Sequence, residues 1–557
     1  MLSFSGIAFS AALLTAAELP GRYYRILEPG LPRVEAALKE QPAADLQTLE
    51  ARPGFRHFPS AMLAAAVLYR RDGDARMLEL AGKIGDLCAA ECERGNYTKR
   101  LDHHRDTYMW LESLRLLEPK LAPERSRRWR AELGKLLESL AADVAKRQDY
   151  ALYASPFIGT SPNHYSLWSS TLYLGARVMK NREWEALAGK VLHRFAVEQA
   201  PDGFWGEHSA NGPTTGYDYL TVAAVALYYE HSRDPDALKA LRRSTDFHKY
   251  FTYPDGAPVE TVNDRNRYWS LSTWGLFGFS NFPDGRRYAE WLASLYDESR
   301  VSLEDLGRIA QDALYHHNGP LEKIPQDLPA FTYRMQLPAG VRKSGPWVVC
   351  LSGIIDTHDF NNRYYLERQG LASVFHQKHG LIITGANSKR QPELAAFSDQ
   401  LQERTATTPL SSRLEMGGRV DRLSVSLHTY FASIEPAIVS DTELEFRVVV
   451  TRKYGGGKGR HNLQLCLKAG ETLETGAGKR YALGEDSLDL GPAELGGLIT
   501  HRGWTMHVPP GARLKWPVLP YNPYANAPEK SLAHAVGALI SEIGSRDETL
   551  VFRIRSQ

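Results

Sequence analysis

The sequence predicts a multidomain α and β fold, with an N-terminal (α/α) toroid or incomplete barrel followed by a C-terminal antiparallel β-sandwich. Up to about residue 325, apolar residues recur with helical spacing, often on more than one face, as expected for helices packed in two concentric layers. Beyond that point, short β-rich runs alternate with turns, an order that fits two packed sheets. A chain of 557 residues is also too long for a single core.

The first residues predict export. Residues 3–17 carry no charge and end in a Leu-Thr-Ala-Ala run, which is typical of a signal peptide cleaved after a small residue. We therefore expect a signal peptide over 1–17, a catalytic toroid over 18–325 and a sandwich over 326–557, in a periplasmic or secreted protein. A buried N-terminal helix is the alternative. No later apolar run approaches the ~20 residues that a bilayer span requires.

Composition limits the partners. Hydrophobic residues make up 43% and charged residues 24% of the chain, as in an ordinary folded protein, and the net charge is +2. Because that charge is close to zero, we expect no nucleic-acid partner. The cysteines Cys88, Cys92, Cys350 and Cys466 lack the Cys-His spacing of a zinc site and are expected as small buried hydrophobes. The sequence makes no prediction about oligomeric state.

The predicted elements follow in order. Helices are expected over 61–69, 77–92, 107–117, 123–146, 167–178, 183–199, 217–230 and 288–296. Strands are expected over 347–351, 372–376, 380–385, 443–450 and 549–554. Loops rich in Pro, Gly, Asn and Asp interrupt the helices at 156–163, 201–213 and 254–266. We expect these three loops to open on one end of the toroid.

Polar side chains suited to one reaction stand in the same three loops. They are Asn163 in the first with His164 directly after it, Asp202, Glu207 and His208 in the second with Tyr217 and Tyr219 after it, and Asn263 and Arg265 in the third with Arg267 directly after it. An amide, an imidazole, a phenol and a guanidinium are the groups that β-elimination from a uronic acid requires. The carboxylate beside the leaving proton must be neutralised before a modest base can remove that proton.

The second loop carries a family resemblance. Asp202-Gly203 with His208 six residues after the aspartate, and then Tyr217, resembles the Asp-Gly…His…Tyr segment of chondroitin AC and hyaluronate lyases. Glu207-His208-Ser209 followed by Gly216-Tyr217-Asp218-Tyr219 is similar to the Glu-x-Ser…Tyr…Tyr segment of heparinase II/III-type lyases. Both families pair an α/α toroid with a C-terminal antiparallel sandwich, so the resemblance implies that fold and a polysaccharide lyase. A six-residue insert after Ser209 and the adjacent His164 depart from the heparinase pattern, which leaves the substrate and the base open.

The candidate bases and carboxylate partners come from all three loops. Asn163 could neutralise the substrate carboxylate with its amide, or it could cap a helix. His164 and His208 are both candidates for the base, with packing or surface roles as the alternative. Arg267, helped by Arg265, could hold the carboxylate in a bidentate contact, or could form a surface ion pair with a nearby acid.

Tyr217 is the leading catalytic phenol, as the base or as the acid that protonates the leaving glycosidic oxygen. A phenol has an ordinary pKa near 10, so it acts as an acid directly and as a base only beside a cation. Tyr219 is the second choice. Residues two apart on a helix point about 200° apart, so one of the pair should face the cleft and the other should pack.

Other residues could bind the sugar chain. The run from Asp102 to Asp106 contains two adjacent histidines and invites a metal interpretation, but adjacent side chains on a helix diverge by ~100°. We expect instead a cleft-lining helix that presents Arg105 and Tyr108. Aromatic stacking on sugar rings is expected of Trp168 and Trp205, and is considered for Trp110, although a tryptophan is more often a core residue. The remaining predicted substrate contacts are Glu207, Tyr219, Asn263 and Arg265.

No cofactor is expected for catalysis. Some heparinase-type sandwiches bind a structural ion, and His358 and Asp359 with His376 and His379 could do so here, but we predict no metal site. Two other functions fit the chain. A toroid glycoside hydrolase would use Glu207 or Asp202 with Asp218 or Asp264 as paired acid and base. A non-catalytic glycan-binding protein would keep only the cleft.

The sequence favours a polysaccharide lyase that cleaves a uronic-acid-containing polymer by β-elimination, with an acidic polysaccharide as its partner. The identity of the polymer and the choice between endo and exo action are not predicted.

Overall fold

The computed structural model describes residues 19–96, 103–152, 162–207, 212–264, 271–272, 274–355, 362–401, 403–453 and 457–557. The predicted signal peptide lies outside these ranges. Within them, helices fill the N-terminal part of the chain and antiparallel strands the C-terminal part, which confirms the predicted fold class. None of the described helices combines the length and the apolar character that a membrane span needs.

The toroid is built from helices that alternate between an inner and an outer layer. They are α1 Leu19–Gly30, α2 Pro32–Glu40, α3 Leu46–Glu50, α4 Pro59–Asp72, α5 Ala75–Glu93, α6 His103–Leu117, α7 Pro123–Ala145, α8 Asn163–Met179, α9 Arg182–Val197, α10 Thr215–Ser232, α11 Pro235–Tyr250, α12 Leu276–Phe279, α13 Pro283–Ser294 and α14 Leu303–Tyr315. The inner ring contains α4, α6, α8, α10, α12 and α14, each packed against the next. Inner helices are covered on both sides, which is why α4 and α10 are apolar around almost their whole circumference.

Helices α8 and α10 lie side by side and run in the same direction. Near their first turns, the hydroxyl of Ser166 lies 3.5 Å from that of Thr221. Seven residues further along each helix, the rings of Tyr173 and Tyr228 meet edge to face with centroids 5.0 Å apart. The two helices therefore begin at the same end of the toroid, and the loops that precede them share one rim.

The C-terminal domain consists of two packed antiparallel sheets. Its strands are β1 Ala330–Arg334, β2 Ala339–Ser344, β3 Trp347–Ser352, β4 Ala372–His376, β5 Gly380–Thr384, β6 Phe397–Leu401, β7 Arg404–Ala406, β8 Ser411–Glu415, β9 Arg422–Ser426, β10 Tyr430–Ser440, β11 Glu443–Arg452, β12 Lys458–Leu465, β13 Thr472–Thr475, β14 Arg480–Ala482, β15 Leu488–Leu490, β16 Leu498–His501, β17 Trp504–His507, β18 Arg513–Val518, β19 Tyr521–Asn522, β20 Ala527–Pro528, β21 Val536–Ile543 and β22 Glu548–Ser556. A short helix, α15 Pro492–Leu495, interrupts them.

The strand order explains the apolar core between the sheets. One sheet runs β1-β2-β3-β4-β5-β12-β21-β18-β15, with β6 paired to β12 and to β7. The other runs β14-β13-β16-β17-β22-β11-β10-β9-β8, and β19 and β20 form a separate hairpin. Most of β10 alternates between buried residues and more exposed ones, so that Ala432 and Ile434 point inward. Trp347, Trp504 and Trp516 are the largest side chains in this core.

Apolar residues from both domains form a third core at the interface. Phe204 and Phe247 of the toroid belong to the same buried cluster as Val341 of the sandwich. Tyr253 stacks on Phe375, with ring centroids 4.9 Å apart and planes 12° apart. The two domains are therefore joined by packed side chains as well as by the connecting chain.

Two buried or half-buried carboxylates also join the domains. Asp202 accepts hydrogen bonds from the backbone N–H groups of Gln336 at 2.6 Å and Leu337 at 3.1 Å. Glu260 accepts from the backbone N–H of Gly385 at 2.9 Å, and its burial raises the pKa of its carboxyl group. Gly203, next to Asp202, has φ 89°, and a Cβ there would lie 2.2 Å from the Arg243 carbonyl oxygen. The Asp-Gly pair thus has a structural role in this fold.

Candidate active site

The first turn of α8 places an amide on the rim of the toroid. Asn163 is the first residue of that helix, and Pro162 before it makes no side-chain cap. The Asn163 side chain is 1% exposed, and its Nδ2 donates to Oε1 of Glu207 at 3.3 Å. Its Oδ1 accepts the backbone N–H of His164 at 2.7 Å, while the His164 side chain is half-buried. Asn163, His164 and Glu207 therefore lie together at this end.

The first turn of α10 places a phenol on the same rim. Tyr217 is half-buried, and its hydroxyl forms a short hydrogen bond with the hydroxyl of Tyr524. Asn163 precedes Ser166 by three residues and Tyr217 precedes Thr221 by four, and Ser166 and Thr221 are in contact. Because α8 and α10 are parallel, Asn163 and Tyr217 occupy matching positions one turn nearer the rim.

Tyr524 belongs to the β19–β20 hairpin of the sandwich and is 41% exposed. Oδ1 of Asn522 accepts the backbone N–H of Tyr524 at 2.9 Å, and the Tyr521 hydroxyl donates to Oδ1 of Asn526 at 2.6 Å. At the base of the hairpin, Oε1 of Gln391 accepts the backbone N–H of Tyr521 at 2.7 Å. These bonds hold the tip, so Tyr524 meets Tyr217 from a fixed turn.

Sequence reasoning missed Tyr524. The Asn522-Pro523 pair is a turn signal, and it was the only local sign of a hairpin. Nothing in the sequence indicated that this turn contacts a helix 307 residues earlier.

Three predicted site residues lie outside the described residues: His208, Arg265 and Arg267. His208 follows Glu207 directly, and the two arginines follow Asp264. Their roles remain predictions. Trp168, one turn after His164 on α8, is half-buried, and the Arg147 guanidinium carbon lies 4.5 Å from its ring centroid.

The sequence matches no family model and no curated protein. The structure does resemble solved structures. Heparinase III aligns with a TM-score of 0.51 at 11% identity, over 89% of this chain and 75% of that one. A mutant of the heparan sulfate lyase HepC from Pedobacter heparinus aligns with a TM-score of 0.50 at 11% identity, over 90% and 76%. The fold is heparinase III-like.

Two predicted aromatic contacts are corrected by burial. Trp205 is 1% exposed, and its Nε1 donates to the Phe195 carbonyl at 2.9 Å, so its ring is part of the toroid core and cannot stack on a sugar. Tyr219 is equally buried, and its hydroxyl bonds that of Tyr288 at 2.8 Å. Burial raises the pKa of Tyr219 to about 12. In this heparinase III-like fold, Tyr217 therefore faces the rim and Tyr219 packs inward.

Further predicted substrate contacts also lie inside the molecule. Tyr108 lines the narrow space between the inner helices, where its hydroxyl accepts from Nε2 of Gln311 at 2.8 Å, and burial raises its pKa well above 10. Trp110 and Asn263 are fully buried. These positions are corrected because a sugar chain cannot reach them in this structure.

Arg105 lies partly inside the protein and partly in solvent. Its guanidinium binds Oε1 of Glu304 at 2.6 Å and lies 5.5 Å from the Trp274 ring centroid, while the side chain keeps 18% exposure. Its neighbour Asp106 is buried against His57, with Oδ1 3.2 Å from Nδ1. Arg105 thus keeps a partly accessible guanidinium, while Asp106 makes an internal contact.

Two carboxylates considered for a hydrolase have structural roles. Asp218 is fully buried, with Oδ2 2.8 Å from Nε2 of His248 and Oδ1 accepting the Trp205 backbone N–H at 2.7 Å. Asp202 holds backbone groups of the sandwich, as described above. Asp264 accepts from the Thr214 hydroxyl at 2.7 Å. Of this set, Glu207 alone contacts Asn163 among the described residues.

The described residues contain one group with metal-ligating potential. His193, Asp234 and Asp236 bring ligand atoms within 4.8 Å of one another. This group lies beyond the C-terminal end of α10, at the opposite end of the toroid from Tyr217. In the sandwich, His376 and His379 stack with centroids 4.9 Å apart, and His379 Nε2 bonds the Ser556 hydroxyl at 2.8 Å. His358 and Asp359 lie outside the described residues.

Proposed function

We propose that this chain is a polysaccharide lyase that cleaves a uronic-acid-containing polysaccharide by β-elimination. The observation that carries the proposal is the matching placement of Asn163 and Tyr217 at the starts of two parallel inner helices. An amide donor and a phenol are thereby presented at one rim of a heparinase III-like fold. Heparinase III and the heparan sulfate lyase HepC, which have this fold, support the assignment.

The reaction assigns a separate task to each group. A base removes the proton on C5 of the uronate, and the electron pair moves into the adjacent carboxylate. The C4–O bond then breaks, a C4–C5 double bond forms, and the leaving oxygen takes up a proton. Asn163 would donate its amide to the carboxylate as charge builds there, which is a preorganised electrostatic contribution.

Tyr217 would transfer a proton in this scheme. As a protonated phenol it can donate directly to the leaving oxygen. His164 on the same rim, or His208 in the adjoining segment, would serve as the base on C5. The hydroxyl of Tyr524 touches that of Tyr217 and offers a second position for the proton.

A lyase is favoured over a hydrolase because of the carboxylates. Hydrolysis needs two carboxyl groups about 5–9.5 Å apart that face the substrate. All four candidate carboxylates already have partners inside the protein: Asp202 and Asp218 are committed to internal hydrogen bonds. Glu207 is buried and accepts from the Asn163 amide, and Asp264 accepts from the Thr214 hydroxyl. A polymer substrate also fits the export that we predict from residues 1–17.

A panel of purified polyuronates tests the proposal. It should include glycosaminoglycans, alginate and glucuronan. Lysis produces a C4–C5 double bond that absorbs in the ultraviolet, and we expect that signal with at least one polymer. New reducing ends without absorbance would indicate a hydrolase instead. Binding without either product would indicate a glycan-binding protein.

A further inference from the structure

A group of tyrosines and cations on the sandwich lies beside Tyr217. The ring of Tyr524 meets the ring of Tyr364 at 66°, with centroids 6.2 Å apart. Arg363 donates from its guanidinium to the Tyr364 hydroxyl at 2.5 Å, and its central carbon lies 4.7 Å from that ring centroid. An unbroken series of contacts thus connects Tyr217, through two aromatic rings, to a guanidinium.

A second cation lies beside Tyr521, at the base of the hairpin. Nζ of Lys389 lies 5.8 Å from the Tyr521 ring centroid and donates to the Asn362 carbonyl. Burial raises the pKa of the Tyr521 phenol, and the nearby positive charge of Arg363 acts in the opposite direction. We call Arg363, Tyr364, Lys389, Tyr521 and Tyr524 the tyrosine–cation cluster.

Arg363 differs from most arginines of the sandwich in its partners. Arg342 pairs with Asp421, and Arg513 pairs with Asp489. Arg363 is exposed and, among the residues that the structure describes, makes its contacts with Tyr364 and forms no ion pair with a carboxylate. Its remaining N–H donors can therefore bind an anion from solution.

We propose that the tyrosine–cation cluster is a binding subsite for an anionic sugar next to the one that is cleaved. The inference rests on the proposed function and extends it. The protein would then hold the substrate at two of its acidic sugars rather than at one. A guanidinium matches the planar fork of a carboxylate and binds sulfate by the same bidentate contact. Tyrosine rings add rigid amphipathic surface at little entropic cost, and the hairpin is already fixed by its internal hydrogen bonds.

Kinetics of Arg363→Gln test the subsite. On the polyuronate that the wild-type protein cleaves, we expect KM to rise about tenfold at low salt, with a smaller change in kcat, because one charge-assisted contact is lost. Added NaCl should raise KM more steeply for the wild type than for the variant. Arg363→Lys should bind more tightly than Arg363→Gln but less tightly than the wild type, since lysine keeps the charge and loses the bidentate contact. Arg413→Gln is the matched control, an exposed arginine on the other sheet that pairs with Glu415.

The choice of polymer distinguishes the two anions. A rise in KM on an unsulfated polyuronate assigns the carboxylate, and a rise confined to a sulfated chain assigns the sulfate. If Arg363→Gln leaves KM within twofold on every polymer that the wild type cleaves, the subsite is overturned while the lyase assignment stands. If the wild type cleaves none of the panel, the proposed function and this inference fail together. Melting temperatures should match, because Arg363 is exposed.

Discussion

The hydroxyl groups of Tyr217 and Tyr524 form a hydrogen bond across the boundary between the toroid and the sandwich. One phenol stands on the first turn of an inner helix, and the other at the tip of a hairpin 307 residues later. A hydrogen bond to a charged form stabilises that form, so Tyr524 can support a negative charge on Tyr217. The surroundings of the Tyr217 hydroxyl are therefore set by both domains.

Tyr217→Phe should lower kcat by about 10²–10⁴-fold, since the ring stays and only the proton-transferring hydroxyl is lost. Absorbance of the unsaturated product on the most active polymer measures the effect. Tyr229→Phe is the matched control, because Tyr229 is a half-buried tyrosine at the other end of the same helix. A fall of less than tenfold for Tyr217→Phe on every cleavable polymer would remove Tyr217 from the chemistry.

Tyr524→Phe should have a smaller effect, about tenfold on kcat, as expected for the loss of one hydrogen bond. If Tyr524 acts through Tyr217, the double variant should be no slower than Tyr217→Phe alone, because the effects of coupled residues do not add. Additive losses would show that the two phenols act independently.

Asn163→Ala should depress kcat more than it raises KM, by about 10²–10³-fold, because its amide would act most strongly as charge develops on the carboxylate. The contact with Glu207 is buried, so the free energy of unfolding should be measured alongside. The control is Asn181→Ala, which removes the N-cap of α9 and should cost only ~1 kcal/mol of stability. A rise in KM with unchanged kcat would make Asn163 an ordinary binding residue.

His248→Ala should destabilise the fold by about 3–5 kcal/mol, because it removes the histidine partner of the buried Asp218 carboxyl and leaves only the Trp205 backbone N–H. Burial already raises the pKa of Asp218. Urea unfolding measures the cost. His193→Ala breaks a similar pair with Asp234, but the His193 side chain is 48% exposed. The loss of unfolding free energy should therefore stay below about 1 kcal/mol. Equal costs for the two variants would contradict the structural role of the buried pair.

Glu290 should make stability depend on pH. Its side chain is 2% exposed, and burial raises the pKa of its carboxyl group to about 7. Between the ordinary value near 4.3 and 7, the folded protein holds a proton that the unfolded chain releases. The stability contributed by this group is therefore complete at acidic pH and is lost as pH rises through that window.

Glu290→Gln should remove part of that slope and stabilise the protein at pH 8, on the order of 1–3 kcal/mol. Urea unfolding at pH 5 and pH 8 compares the variant with the wild type. Glu138→Gln is the control, because Glu138 is exposed on α7. Parallel pH dependences for the wild type and Glu290→Gln would contradict the prediction.

Helices were predicted where apolar residues dominate the sequence. They were missed where the residues that begin a helix are the main signal. The apolar run of α10 was predicted over 217–230, and the helix spans Thr215–Ser232. Helix α14 was missed, although Ser302 and Asp305 form a capping box at its start. Helix α11 was missed too, although its buried residues recur with helical spacing and Asp234 followed by Pro235 marks its beginning.

Site prediction was limited by burial and by long-range contacts. The sequence predicted that Asn163, His164 and Tyr217 share one end of the toroid, and they do because each lies at the start of an inner helix. It could not tell Trp205 from Trp168, since the tertiary packing alone decides which ring is covered. The hairpin that carries Tyr524 lies in a different domain, and no local pattern encodes such a contact.

The apolar core shared by the toroid and the sandwich restricts the exchange of either domain for one from another protein. Phe204 and Phe247 on one side and Val341 and Phe375 on the other belong to this one buried cluster. A chain divided between 315 and 330 would leave each half with a water-exposed apolar face, which favours aggregation. The halves are therefore not interchangeable modules. A sandwich borrowed from another protein would have to reproduce this contact surface before its hairpin could reach Tyr217.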